Sequence, residues 1–209
     1  MHWADHTAMR LSEQYGRQVI ASGITPSGEF HIGHLREILT AEMIHRACLD
    51  AKIDSEYIFI VDSMDPLRRV YSFLSDEYEK YIGYPLVNIP APNPDGSPSN
   101  EGKNYANHFL EPFLESLKEI GVYPRVVMNH KTYEDGNFAE KIDLAIKNKE
   151  KIHEIIENIS GRELPEDWFP YNPIGSDGSM DGVRVTGYER PYVFWTDKHG
   201  IDGRSDIRK

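Results

Sequence analysis

The chain has 209 residues, 39% of them hydrophobic and 11% aromatic, a composition that folds rather than stays disordered. A formal net charge of −11 argues against a dedicated nucleic-acid-binding module, which carries a basic patch or stripe, but not against an enzyme whose basic surface is local. The single cysteine, Cys48, excludes an internal disulfide framework and a cysteine-cluster zinc site. No apolar run approaches the roughly 18 residues of a membrane helix, and the N-terminus lacks a secretory signal, so a cytoplasmic address with no membrane partner is expected.

In chain order, residues 3–15 read as an amphipathic helix and "QVIASG" (18–23) as a short strand ending in glycine. A His-rich turn follows, and then Leu35, Ile38, Leu39, Met43 and Ala47 recur at helical spacing. "EYIFIVD" (56–62) is a continuous apolar run that suits a strand buried on both faces. Strand, helix and strand make a βαβ unit with a right-handed crossover. Residues 84–104, rich in Pro, Asn and Gly, read as an exposed insertion loop. A helix then turns Phe109, Phe113, Leu117 and Ile120 inward, with Pro112 opening or kinking it. "PRVVMN" (124–129) is a third strand. One long helix starts at Asn137, capped with help from Glu140, and runs to Gly161 with Phe138, Ile142, Ala145, Ile152, Ile155, Ile156 and Ile159 on its apolar face. From residue 165 the texture turns to short strands at 183–186 and 192–195, with "GRSDIRK" as a third. The expected division is therefore a catalytic region over 1–163 and a small β annex over 164–209.

The stretch "ASGITPSGEFHIGHL" carries the chemistry. A helix N-terminus presents unpaired N–H groups and a partial positive charge, which makes a phosphate site. The edge where strands end in an open α/β sheet is where such folds put ligands. His31 and His34, three apart, project from one side of the first helical turn, and Gly33 removes a side chain where a nucleotide must come close. A bare His-x-x-His is more often a surface or packing pair. Here the strand-end turn before it favours nucleotide binding, with Pro26 in that turn on the nucleotide side. Two histidines with no cysteine or further histidine nearby are an incomplete zinc set.

The tetrapeptide "HIGH" after the first strand resembles the signature of class I aminoacyl-tRNA synthetases. "WAD", "ASGITPSG…HIG…LREILTA", "DPLRRVYSFL", "YEKYIGYPLVNIPAP", "HFLEPFLESL", "SGRELPEDWFPYNPI" and "VRVTGY…DIRK" together resemble, in order, the archaeal-type class I lysyl-tRNA synthetases over nearly the whole chain. The resemblance implies an α/β, Rossmann-type (HIGH-superfamily) parallel sheet flanked by helices. It also implies ATP-dependent activation of L-lysine, followed by transfer to tRNA(Lys), with magnesium accompanying ATP. By carry-over, His31, Gly33 and His34 would hold ATP and stabilise the α-phosphate transition state, and Gly23, Ile24 and Thr25 would border the amino acid. Asp62 and Asp65 would supply the carboxylates that a cationic substrate needs, against the competing reading that they cap a turn. Arg68 would touch phosphate or pair with Asp65, Arg69 would be a solvated charge, and Tyr105 and His108 are weighted towards core or surface roles.

Two departures from the family qualify this. No Lys-Met-Ser-Lys-Ser-like loop occurs, so the chain is expected to be the first part of a longer enzyme. In the annex, where many relatives have zinc-binding cysteine pairs, "NPIGSDGSMDG" and "WTDKHGIDG" offer Gly, Ser, Asp and His. A structural zinc is not expected; His199 with Asp197 or Asp202 would be a poor substitute. The annex should instead hold by packing of Trp168, Tyr171, Tyr188, Tyr192, Phe194 and Trp195. Two other functions compete with the synthetase reading: a small nucleotidyltransferase built on the same turn, and a fragment that binds ATP or a partner without turnover.

Overall fold

Three parallel strands, β1 (Gln18–Ile24), β2 (Ser55–Val61) and β3 (Arg125–Met128), lie side by side in that order in a computed structural model that describes residues 2–209. Contacts divide the chain into two units: residues 1–65 with 86–129, and residues 66–85 with 130–209.

In the first unit, α1 (Trp3–Leu11) is shorter than the expected span. The N–H of Ser12 closes on the Ala8 carbonyl, and Gly16 then adopts a left-handed φ of +80°. The crossover helix α2 (Ile32–Asp50) buries Ile38, Ala41, Ala47 and Cys48, the i, i+3 pattern of a helix lying on a sheet. It meets Tyr57, Phe59 and Val61 of β2, and the Tyr57 hydroxyl bonds both Ser22 (2.8 Å) and the Ile38 carbonyl (3.3 Å). Burial pushes the Tyr57 phenol up to about 12, so it stays a neutral bridge between helix and sheet. β2 is not buried on both faces as its apolar run suggests: Glu56, Ile58 and Ile60 alternate with the buried residues and are only half-covered.

Segment 84–104 has little regular structure, yet it is anchored rather than loosely exposed. Leu86, Ile89 and Ala91 are buried, and a short bridge pairs Pro90 with Asn104. Asn104 then caps α3 (Tyr105–Glu119) by accepting from the Asn107 N–H at 2.8 Å. Phe109, Phe113 and Leu117 face inward as expected. Ile120 does not: it follows the last turn and is 51% exposed. Pro112 lies inside the helix rather than at its start.

A short helix, α4 (Asn129–Glu134), follows β3, and the single helix expected over 137–161 is two helices of the second unit, α5 (Ala139–Lys147) and α6 (Lys149–Ser160). Asn137 is not a cap, since α5 begins after Phe138 with no side-chain cap bond. The break between α5 and α6 falls at Asn148, whose amide donates back to the Leu144 carbonyl at 2.8 Å. Gly161 does end α6, at φ +66°. Of the expected apolar stripe, Phe138, Ile142, Ala145, Ile152 and Ile156 are half-buried and Ile155 and Ile159 are exposed; the buried apolar residue of α5 is Ile146, off that stripe.

The antiparallel sheet of β4 (Arg184–Glu189), β5 (Tyr192–Thr196) and β6 (Asp202–Asp206) has the order β4-β5-β6. Ile146 of α5 packs with Val193 and Ile207, with Phe169, Tyr171, Val185 and Tyr188 around them. The contact division therefore does not fall at the expected boundary after residue 163: α5 belongs with the sheet. Of the expected aromatic set, Tyr171 and Tyr188 are built into this packing; Trp195 is buried in β5, where a Cβ at Gly203 would run into its indole. Tyr192 instead lies under the Arg204 guanidinium, 4.4 Å from its ring centroid.

Candidate active site

The carboxyl ends of β1, β2 and β3 bring Thr25, Asp62, Asp65 and Asn129 together, and the N-terminus of α2 follows β1 by seven residues. His31 is the N-cap of α2. Its Nδ1 accepts the Gly33 N–H at 3.0 Å, and the His34 Nδ1 accepts the His31 N–H at 3.0 Å. This is a capping box made of two imidazoles, whose rings stack with centroids 3.9 Å apart. Because each Nδ1 accepts a backbone N–H, the proton of each neutral ring sits on Nε2, leaving two outward donors. Burial, then the neighbouring His31, lowers the His34 pKa against an opposing pull from Glu37, and favours that neutral form. The close neighbour at Gly33 is the His31 ring itself: a Cβ there would lie 2.8 Å from its Cε1.

Phe30 supports this turn from behind. It stacks on Phe113 at 4.2 Å and approaches the His34 ring at 5.1 Å. Pro26 is fully buried in the strand-end turn, and the Tyr105 hydroxyl donates to the Ser27 carbonyl at 2.8 Å. Tyr105 is thus a core residue that braces the turn. His108, its pKa lowered first by burial, lines an open pocket of about 300 Å³ with Glu29, Phe30, Phe113 and Ser116.

The Thr25 hydroxyl donates to Asp65 Oδ2 at 2.6 Å. Asn129 Nδ2 donates to Asp62 Oδ1 at 3.2 Å, while its Oδ1 accepts from the Ser63 hydroxyl (3.0 Å) and the Met64 N–H (3.1 Å). Burial, then the nearby Asp65, raises the Asp62 pKa, and Asn129 opposes the rise. Gly23 lies beside this pair: a Cβ built on it would stand 3.8 Å from Asp62 Oδ2, and its N–H reaches Glu37 Oε1 at 3.3 Å. Ile24 contributes differently. Its side chain is in the core, and its carbonyl accepts the Asp62 N–H at 3.1 Å. Arg68 and Arg69 belong to the second unit and are exposed, with Arg69 over the Tyr71 ring. Among the described residues no cluster of three His, Cys, Asp or Glu side chains could hold a metal ion, and no helix is long and apolar enough to cross a membrane.

Asn129, Glu37 and Phe30 are the site residues that sequence reasoning missed. The signal for Asn129 was its place as the polar last residue of the third strand candidate, the position at which the other two strands were read as functional.

The family model described as tRNA synthetases class I (K) matches residues 1–209. The chain belongs to that family. Lysine–tRNA ligase of Thermoplasma acidophilum is 41% identical over the whole of this chain, that of Archaeoglobus fulgidus 40% over 98% of it, and that of Methanocaldococcus jannaschii 44% over 90%. The matched parts are 39%, 40% and 35% of those relatives, so this class I synthetase chain spans about two fifths of their length. The parallel sheet with its flanking helices agrees with the Rossmann-type fold that the family resemblance implied.

Proposed function

We propose that the chain carries the ATP- and lysine-binding region of a lysine–tRNA ligase. In this reading a carboxylate oxygen of lysine attacks the α-phosphorus of ATP. The bond to the bridging oxygen breaks, pyrophosphate leaves, and the lysyl group passes from the adenylate to tRNA(Lys). ATP arrives with magnesium held mostly by its own phosphates. The reaction belongs in the cytoplasm.

The observation that carries the reading is the reciprocal capping of His31 and His34, which leaves two Nε2–H donors at a helix N-terminus. Donors fixed in advance cost no reorganisation as charge builds on the phosphates, and they act beside the positive end of the helix. Gly33 keeps the His31 ring seated, and Pro26 fixes the turn that leads to it. Gly23, Thr25 and the backbone of Ile24 border the amino acid, and Asp62 and Asp65 receive its side-chain ammonium. The test is lysine-dependent ATP–pyrophosphate exchange by the polypeptide as the cell makes it. Exchange stimulated by lysine and not by norleucine is expected; ATP binding with no exchange for any amino acid would overturn the proposal.

A further inference from the structure

We infer that Asn129 is a positioning residue for the cationic substrate side chain, acting by holding the Asp62 carboxylate in place; this rests on the reading that Asp62 and Asp65 receive that side chain. The Asn129 side chain is buried and its orientation is fixed. Two donors, the Ser63 hydroxyl and the Met64 N–H, converge on Oδ1, so the NH2 end must face Asp62. Turning the amide over would set its NH2 against the Met64 N–H and its oxygen against the Asp62 carboxylate.

The consequence is a matched pair of tethers. Asn129 occupies Oδ1 of Asp62, and Thr25 occupies Oδ2 of Asp65. Oδ2 of Asp62 is left on the Gly23 side, where β1 ends and where the missing Cβ of glycine keeps space open. Two carboxylates held this way present one oxygen each to a compact ammonium, with the preference over a neutral side chain that two nearby opposite charges give. The charged form of Asp62 needs this support. It is half-buried, burial and then the neighbouring Asp65 push its pKa up, and the Asn129 donor opposes the rise. Asn129 reaches the pair because the Val61–Met128 pairing of β2 and β3 sets its backbone one residue past the strand end.

The test uses the polypeptide as the cell makes it, with lysine and ATP as separately varied substrates in pyrophosphate exchange. For Asn129→Leu, shown to be folded by thermal melting, KM for lysine should rise roughly 10- to 100-fold, the scale of a hydrogen bond to a charged group, while KM for ATP stays within about twofold. Asn129→Asp keeps both accepted hydrogen bonds but loses the donor. Its acid limb of kcat/KM for lysine should move to higher pH. Equal rises in both KM values, or an unchanged lysine KM in folded Asn129→Leu, would overturn the inference. If that variant fails to fold, an unmoved acid limb in Asn129→Asp overturns it. Asp62→Asn serves as the control: if it too leaves the lysine KM unchanged, the reading of the carboxylate pair has failed rather than the role of Asn129.

Discussion

His31 and His34 cap one helix together: the His34 ring accepts the His31 N–H and the His31 ring accepts the Gly33 N–H, both at 3.0 Å. Each histidine is therefore structural through Nδ1 and available for chemistry through Nε2, and the two roles can be separated by substitution.

His31→Ala and His34→Ala each remove a donor, and exchange should fall by roughly 10²–10³, the usual loss for one oxyanion-type donor. Each also loses a cap worth about 1 kcal/mol. His31→Asn keeps a side-chain acceptor at the N-cap but offers no Nε2–H. It should melt close to the parent while exchange stays as low as in His31→Ala. Recovery of exchange in His31→Asn would mean that capping, not phosphate contact, is all that His31 does.

Gly33→Ala tests the seat of the ring. The added Cβ would lie 2.8 Å from His31 Cε1 and 2.9 Å from Nδ1, inside van der Waals contact, so the imidazole must swing away. Displacing one donor by about an ångström is expected to lower exchange by on the order of 10²-fold. A pyrophosphate-exchange rate equal to that of the parent would show that the ring can move without consequence.

The elements that could be read in the sequence were those whose pattern reports local geometry. The β1–α2–β2 unit was legible because a strand ending in Gly23, a turn and a helical apolar stripe each leave a periodic trace. The pairing of Thr25 with Asp65, and of Asn129 with Asp62, was not legible. These residues are 40 and 67 positions apart, and only the sheet register brings them together. The long helix over 137–161 misled for the opposite reason. Its stripe is continuous in sequence, but Asn148 bonds back to Leu144, and no buried residue lies in α6 to keep the halves in line. The capping role of the two histidines was hidden because imidazole is not among the residue types that signal a helix start.

Ile146→Ala should destabilise the second unit by about 2–4 kcal/mol, the range for truncating a buried aliphatic side chain. Ile146 is 6% exposed and packs on Val193 and Ile207, which are buried as completely. Urea unfolding followed by near-ultraviolet circular dichroism reads the change. A loss below about 0.5 kcal/mol, the range of a surface substitution, would mean that α5 does not hold the sheet.

Acid should loosen the turns around Asp197 before it reaches the apolar packing. The Asp197 carboxylate accepts from the Ser176 hydroxyl and N–H, and from the N–H groups of His199 (2.9 Å) and Ile201 (3.0 Å). The Ser176 hydroxyl leads the causes that bring its pKa down to about 2. An unfolded aspartate titrates near pH 3.9. A folded value below the unfolded one means that the unfolded chain binds the proton first. The stabilisation is therefore complete above about pH 4 and is lost as pH falls towards 2. Asp206, brought to about 2 by Arg208, adds to the loss in the same window. Asp197→Asn sets an NH2 group against converging N–H donors and removes the titration. It should melt lower than the parent at pH 7, and the gap between the two should narrow as pH approaches 2. Parallel melting curves for the two proteins across that range would show that the carboxylate does not hold these turns.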